Sequence, residues 1–311
     1  MNYVGLQSQI WRNNFNSIIL LILFPIVLFA MVWLFIFLVG KQHQGFTFDA
    51  ANYTFLRTFP WVTFGVLLWF LIAYFTHSSM IMAATGSKPL ERMENKRIYN
   101  LVENLCIAAG MKTPRINIIE DDSLNAFASG INQRTYSISL SRGIIDKLND
   151  EELEGVIAHE LTHIRNRDVR LLIVSIIFVG IFAFLSQMLF RTMIYGGGRS
   201  RGKDNKGVAL LIGLLLAVIG YLITILCRFA LSRKREYMAD AGGAELTKNP
   251  LALASALRKV SQDSRIEAVT RKDIAQMFIE NPQEDVKTTY FTSLFATHPP
   301  INKRIGILEQ F

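Results

Sequence analysis

Residues 156–164 read Val-Ile-Ala-His-Glu-Leu-Thr-His-Ile, with His159-Glu160-x-x-His163 at the centre. An α-helix advances about 100° per residue, so residues four apart share a face one turn apart. Two imidazoles so placed can hold one zinc ion, with Glu160 beside them as a base for an attacking water. The bare pattern arises by chance in roughly 1 in 100 chains of this size, so the rest of the chain has to support it. Asn149 and Glu152 form a capping box that starts the helix carrying the motif.

The 311 residues are 51% hydrophobic, high for a soluble globule. The excess lies in four uncharged runs, at 17–40, 59–82, 171–190 and 208–227. About 20 apolar residues span a bilayer as a helix, so four transmembrane helices are expected. The first run exceeds the apolar length of a secretory signal and has no small-x-small cleavage site after it, so it reads as a retained anchor. Pro25 within it is tolerable in a membrane helix.

Basic residues flank the runs on one side: Lys88, Arg92, Lys96 and Arg97 after the second, Arg165, Arg167 and Arg170 before the third, Arg228, Arg233, Lys234 and Arg235 after the fourth. That side is expected to be cytoplasmic. The basic, glycine-rich loop 191–207 breaks the rule and leaves the crossing of the last two runs open. The net charge of +8 does not indicate nucleic acid, because residues 83–170 hold 12 basic and 13 acidic side chains and residues 228–311 hold 13 and 10. Loop 195–207 also lacks the Gly-Lys-Ser/Thr ending of a phosphate loop. Cys106 and Cys227 read as packing residues, with no Cys-x-x-Cys spacing.

Between the second and third runs, residues 83–110 read as helix, ending at Gly110. Leu124–Ser129 and Tyr136–Ser141 alternate as a small antiparallel sheet with a hairpin. Beyond the fourth run a polar helix is expected to reach Gly242-Gly243. Asn249-Pro250 caps another helix to about Val260, and Pro299-Pro300 starts a short terminal one.

Catalytic zinc usually takes three protein ligands. Of five histidines, His43 falls in the external loop and His77 reads as an interfacial residue, which leaves His298 or a carboxylate as the third ligand. Glu236 is the strongest carboxylate, with Asp240 one helical turn on; one can ligate while the other orients an imidazole. Asp168 reads chiefly as a cap or a partner of Arg165 or Arg170. Leu124–Ser129 is the candidate edge strand for holding an extended substrate by main-chain hydrogen bonds, with Asn125, Ala126 and Phe127 along it. The motif helix and the third run are nearly contiguous, as are Glu236 and the fourth run, which places the site just above the bilayer if those two runs pair.

The chain resembles the HtpX-type membrane zinc metalloproteases, relatives of the CAAX prenyl protease. The resemblance rests on Asn125-Ala-Phe-Ala128, His159-Glu-Leu-Thr-His163 with Asn166-Arg-Asp168, Arg235-Glu-Tyr-Met-Ala-Asp240 and Thr297-His-Pro-Pro300, in family order around four spans. It implies one zinc per chain on His159, His163 and Glu236, Glu160 as general base, Asp240 beside the ligands and His298 as oxyanion donor. The fold it implies is a multi-pass α-helical membrane protein with a cytoplasmic α+β zincin-like (gluzincin) domain. The expected order is a lead-in 1–16, spans at 17–40 and 59–82 around an external loop 41–58, the protease domain in two parts (83–170 and 228–311), and spans at 171–190 and 208–227 around loop 191–207. The implied activity is endopeptidase cleavage of misfolded or damaged membrane proteins, or other unfolded polypeptides, at the bacterial cytoplasmic membrane. Lipid is the expected environment and nucleic acid is not a partner. A prenyl-peptide protease and a non-catalytic zinc-stapled adaptor are the alternatives. A transporter would need ionisable residues inside the spans or repeated halves, and neither is visible.

Overall fold

The computed structural model describes residues 6–42, 44–195, 205–229, 233–262, 278–279 and 299–311. The chain divides into two units: Met1–Asn16, Thr76–Ile173 and Phe229–Phe311 form one, Ser17–Phe75 and Val174–Arg228 the other.

The second unit comprises most of four helices, α1 (Leu6–Gly40), α2 (Phe48–Thr85), α6 (Asp168–Tyr195) and α7 (Asn205–Phe229). Among the described residues three segments are long and apolar enough to cross a membrane: Ile22–Gly40, Phe48–Thr85 and Asp168–Arg191; Gly207–Leu222 is a shorter apolar stretch. Helix α1 begins inside the expected lead-in, and α2 takes up residues 48–58 of the expected external loop. Large apolar side chains point outward, Trp61 at 77% and Phe75 at 76% exposure, as suits helices apolar enough to cross a membrane. Inside, Phe24 stacks on Phe178 at 4.1 Å and meets Phe182 edge-on at 5.3 Å. Helices α6 and α7, whose pairing the sequence left open, approach each other closely. Gly220 lies against Phe182, and Gly213 against Leu189 and Phe35, small residues allowing close helix approach.

The first unit carries a four-stranded sheet of order β1-β2-β4-β3, from Lys88–Pro89, Arg115–Ile119, Ala126–Ser129 and Ser137–Ser141. Strands β3 and β4 are antiparallel, as expected, pairing Ala126 with Leu140 and Ser129 with Ser137. The sheet is nevertheless mixed, because β4 inserts beside β2 in parallel. Gly130, at φ 114°, makes the exit from β3; a Cβ there would lie 2.5 Å from the Thr135 carbonyl oxygen.

The expected helix over 83–110 is broken. Thr85 ends α2, Pro89 sits in β1, and α3 (Lys96–Ala109) starts afresh with Asn95 Oδ1 accepting from the Ile98 N–H. Gly110 closes α3 in the left-handed conformation. After α4 (Arg142–Lys147), α5 (Asp150–Arg165) opens with the full Asn149–Glu152 capping box. It ends at Asn166; Arg167 at φ 61° interrupts the helical path, and α6 starts at Asp168. The motif helix and α6 are therefore separate helices, where near-continuity was expected.

Helix α8 (Arg233–Thr247) runs through Gly242-Gly243, where the sequence suggested a stop. The glycines serve packing: a Cβ on Gly242 would lie 2.5 Å from Thr162 Cγ2, and one on Gly243 3.1 Å from the His159 backbone nitrogen. Helix α9 (Pro250–Val260) is capped by Asn249, and α10 (Ile301–Leu308) follows Pro300.

Candidate metal centre

The capping box and a first turn bearing Asp150, Glu151 and Glu152 favour the N-terminus of α5, and its buried side chains dock it against the sheet, α8 and α9. His159 is fully buried, Glu160 is 2% exposed, and the His163 side chain is 13% exposed. Helix spacing sets the two rings edge to face, centroids 4.7 Å apart. The close approach of α8 then brings Glu236 to both. The two Nε2 atoms are 3.2 Å apart, Glu236 Oε2 is 3.7 Å from that of His159, and Glu236 Oε1 is 3.5 Å from that of His163. A tetrahedral shell with bonds near 2.0–2.1 Å has edges of about 3.3 Å. These three residues are the group of potential metal ligands found among the described residues.

Each ring is turned by a carboxylate behind it. His159 Nδ1 lies 3.0 Å from Asp240 Oδ1, and His163 Nδ1 lies 3.0 Å from Asp168 Oδ2. At His163 the contact has hydrogen-bond geometry, and a carboxylate that accepts an Nδ1 proton leaves the lone pair on Nε2. Two such lone pairs facing each other at 3.2 Å suit a cation between them. Each carboxylate in turn meets an arginine: Arg304 grips Asp240 with two bonds of 2.8 Å, and the Arg235 side chain stands 3.9 Å from Asp168 Oδ1. With all four carboxylates ionised and both imidazoles neutral, Glu160, Asp168, Glu236 and Asp240 exceed Arg235 and Arg304 by two negative charges.

The electrostatics follow this surplus. Burial opposes a charged His163, but the Asp168 hydrogen bond and the charges of Glu236, Asp168 and Glu160 outweigh it, and its pKa is pushed up to about 9. Burial raises the Glu160 pKa; His159, His163 and the Ala128 backbone act against that rise, and Glu236 adds to it. Asp240 is held well below the usual carboxylate range, since Arg304 and His159 overcome the effect of burial.

The predicted β3 is an edge strand, but it is wholly buried, and its outer edge meets another part of the chain. Phe127 bridges Phe278 in antiparallel fashion, their rings 4.7 Å apart, and the Ile279 N–H donates to the Ala126 carbonyl at 2.8 Å. Asn125 is buried, and its Oδ1 accepts from the Ala126 N–H. His298 lies outside the described residues. His77 is buried beside Ser78. Cys106 is a buried free thiol, consistent with packing.

Sequence reasoning undervalued Asp168, which faces His163 where a cap or an Arg165 or Arg170 partner was expected, and missed Arg304 altogether. A signal for Arg304 existed. It falls at the spacing of Ile301, Ile305 and Leu308, a charge on the apolar face of a short helix.

Residues 92–311 match Peptidase family M48. A "Protease HtpX homolog" of Bacteroides fragilis (strain YCH46) is 60% identical over the whole of both chains. One of Thermoanaerobacter pseudethanolicus is 38% identical over 84% of this chain and 89% of its own. The crystal structure of S. mikatae Ste24p is 18% identical and aligns with 96% of this chain at a TM-score of 0.46; the chain spans 66% of that structure's length. Metalloprotease activity, with zinc as a family property, accompanies this match, and the chain belongs to peptidase family M48.

Proposed function

We propose that the protein is a zinc endopeptidase of the bacterial cytoplasmic membrane, with its active site on the cytoplasmic side, cleaving misfolded or damaged membrane proteins. The observation that carries the reading is the convergence of His159 Nε2, His163 Nε2 and a Glu236 carboxylate at 3.2–3.7 Å, with Glu160 on the same helix. The protease domain is assigned to 83–170 with 228–311. The spans are assigned to 17–40, 59–82, 171–190 and 208–227, on the hydropathy of the sequence and the basic flanks described above.

His159, His163 and Glu236 would hold the zinc. When bound, the ion would supply a Lewis acid for the scissile carbonyl and a lowered pKa for water. Glu160 takes the proton of the attacking water and delivers it to the leaving amine. Its burial suits this role, because a carboxylate of raised pKa holds the proton long enough to pass it on. His298 is assigned as oxyanion donor on its motif. Substrate is assigned on its motif to the β3 segment Asn125, Ala126 and Phe127; Phe278 and Ile279 of the same chain pair with that edge, so an added strand has to replace their contacts. Strand addition reads main-chain groups, which fits a protease of many unfolded sequences.

The test is Glu160→Gln in the full-length protein in detergent, assayed on an unfolded polypeptide with zinc present. Retained zinc with cleavage reduced by at least about 100-fold is expected. Undiminished cleavage would remove Glu160 from the mechanism.

A further inference from the structure

We propose that Arg304 is a positioning residue of the metal centre: from the terminal helix α10 it fixes the carboxylates of Asp240 and Glu236, so that metal affinity depends on this guanidinium. The inference rests on the assignment of His159, His163 and Glu236 as ligands.

Arg304 is 1% exposed and heads the largest fully buried side chains of the described residues. Its Nε donates to Asp240 Oδ2 and its Nη2 to Asp240 Oδ1, both at 2.8 Å, the bidentate geometry that only arginine offers. Nη1 reaches Glu236 Oε2 at 3.4 Å and donates to the Ile279 carbonyl at 3.1 Å. One planar group thus contacts a proposed ligand and the carboxylate that orients another. A charge buried this deeply is costly, and an apolar side chain beside Ile305 and Leu308 would dock α10 at less expense. Packing alone does not account for an arginine here; aiming two acids does.

The geometry also sets a direction. Asp240 can turn His159 only while its own oxygens are held, and Glu236 is one turn away on the same helix. Without the fork, Asp240 is a buried carboxylate short of its strongest partner and free to rotate, and both the tilt of His159 and the approach of Glu236 loosen. Groups behind metal ligands typically contribute about 10- to 100-fold in affinity. A purely structural tie between α8 and α10 would leave affinity unchanged in any variant that still folds.

The experiment measures zinc affinity by chelator competition, and the absorption spectrum of the cobalt-substituted protein, in full-length wild type, Arg304→Gln and Arg304→Lys. Helix content by circular dichroism verifies folding, and Arg304→Lys, which keeps the charge but not the fork, covers the case in which the glutamine variant does not fold. Arg258→Gln is the control, because Arg258 pairs with Glu309 at the end of α10 on the exposed side. Affinity lower by about 10- to 100-fold with an altered cobalt spectrum is expected for the Arg304 variants, and neither change for Arg258→Gln. Combining Arg304→Gln with Asp240→Asn should cost less than the two effects added. Wild-type affinity and spectrum in folded Arg304 variants, or full additivity with Asp240→Asn, would overturn the proposal. A wild-type protein that binds no stoichiometric zinc would instead overturn the ligand assignment beneath it.

Discussion

His159 and His163 face each other through Nε2 atoms 3.2 Å apart, each ring held from behind by an aspartate at 3.0 Å. This arrangement ties metal binding to protons. His163 in the ligand-free constellation holds a proton up to a pH of about 9. A cation at Nε2 must displace it, so affinity rises with pH toward that value and falls below it, by up to about tenfold per pH unit for one proton. Zinc competition titrations between pH 6 and 8 check this, and a flat profile would contradict it.

Asp168 is the second consequence of that geometry. As the first residue of α6 it could serve only as a cap, but its Oδ2 faces His163 Nδ1. Asp168→Asn should weaken zinc binding by about 10- to 100-fold. Unchanged affinity, with only a loss of thermal stability, would reduce it to a cap.

Glu236 should be more sensitive still. Its removal in Glu236→Ala takes away one of the three candidate ligand atoms that lie within 4.8 Å of one another, while the rest of α8 is a helix that alanine favours. Loss of stoichiometric zinc with helix content retained is the expected result by metal analysis. Wild-type zinc content would transfer the third ligand elsewhere.

Close packing of α5 on α8 makes Gly242 a sensitive position. Gly242→Ala gains about 1 kcal/mol in helix propensity but places a methyl 2.5 Å from Thr162 Cγ2, and overpacking of this kind costs about 1–3 kcal/mol. Net destabilisation with weakened zinc binding should appear in chemical denaturation. Thr162→Ser, which deletes the clashing methyl, should restore part of both; a Gly242→Ala variant more stable than wild type would refute the packing argument.

Glu152 links the N-terminus of α5 to α9. It caps Asn149, accepts from Ser255 at 2.7 Å and pairs with Lys259 at 2.6 Å. Burial raises its pKa, but these partners outweigh that and hold it below the ordinary value. A depressed carboxylate contributes stability that is fully present above its unfolded pKa of about 4.3 and is lost as pH falls through the folded value. Glu152→Gln should cost about 1–3 kcal/mol at pH 7, and the gap to wild type should narrow as acid takes the pH below the unfolded value and through the lowered folded one. A gap constant from pH 7 to 3 would argue against the ionised role.

Local periodicity and chemistry were sufficient for much of the molecule. The capping box, the shared face of His159 and His163, the pairing of Glu236 with Asp240 one turn apart, the Gly110 stop and the apolar runs all depend on residues within a few positions of each other, where helix geometry fixes the neighbours. Readings failed where a residue had two local meanings. Gly242-Gly243 looks like a helix end and is a packing contact; Asp168 looks like a cap and faces His163. Pro89 and Asn95 carried break signals that the helical pattern of 83–110 obscured.

From the sequence alone came a candidate metal-binding helix, a set of long apolar runs and a short set of candidate acids. The tertiary structure decided which acids meet which rings, that β4 inserts beside β2, that the β3 edge is paired with Phe278 and Ile279, and that Arg304 reaches Asp240 from 64 residues away. The reason is physical. A helix turn dictates its own neighbours, whereas a buried guanidinium finds its carboxylate only when separate elements dock and exclude the water that would otherwise solvate both.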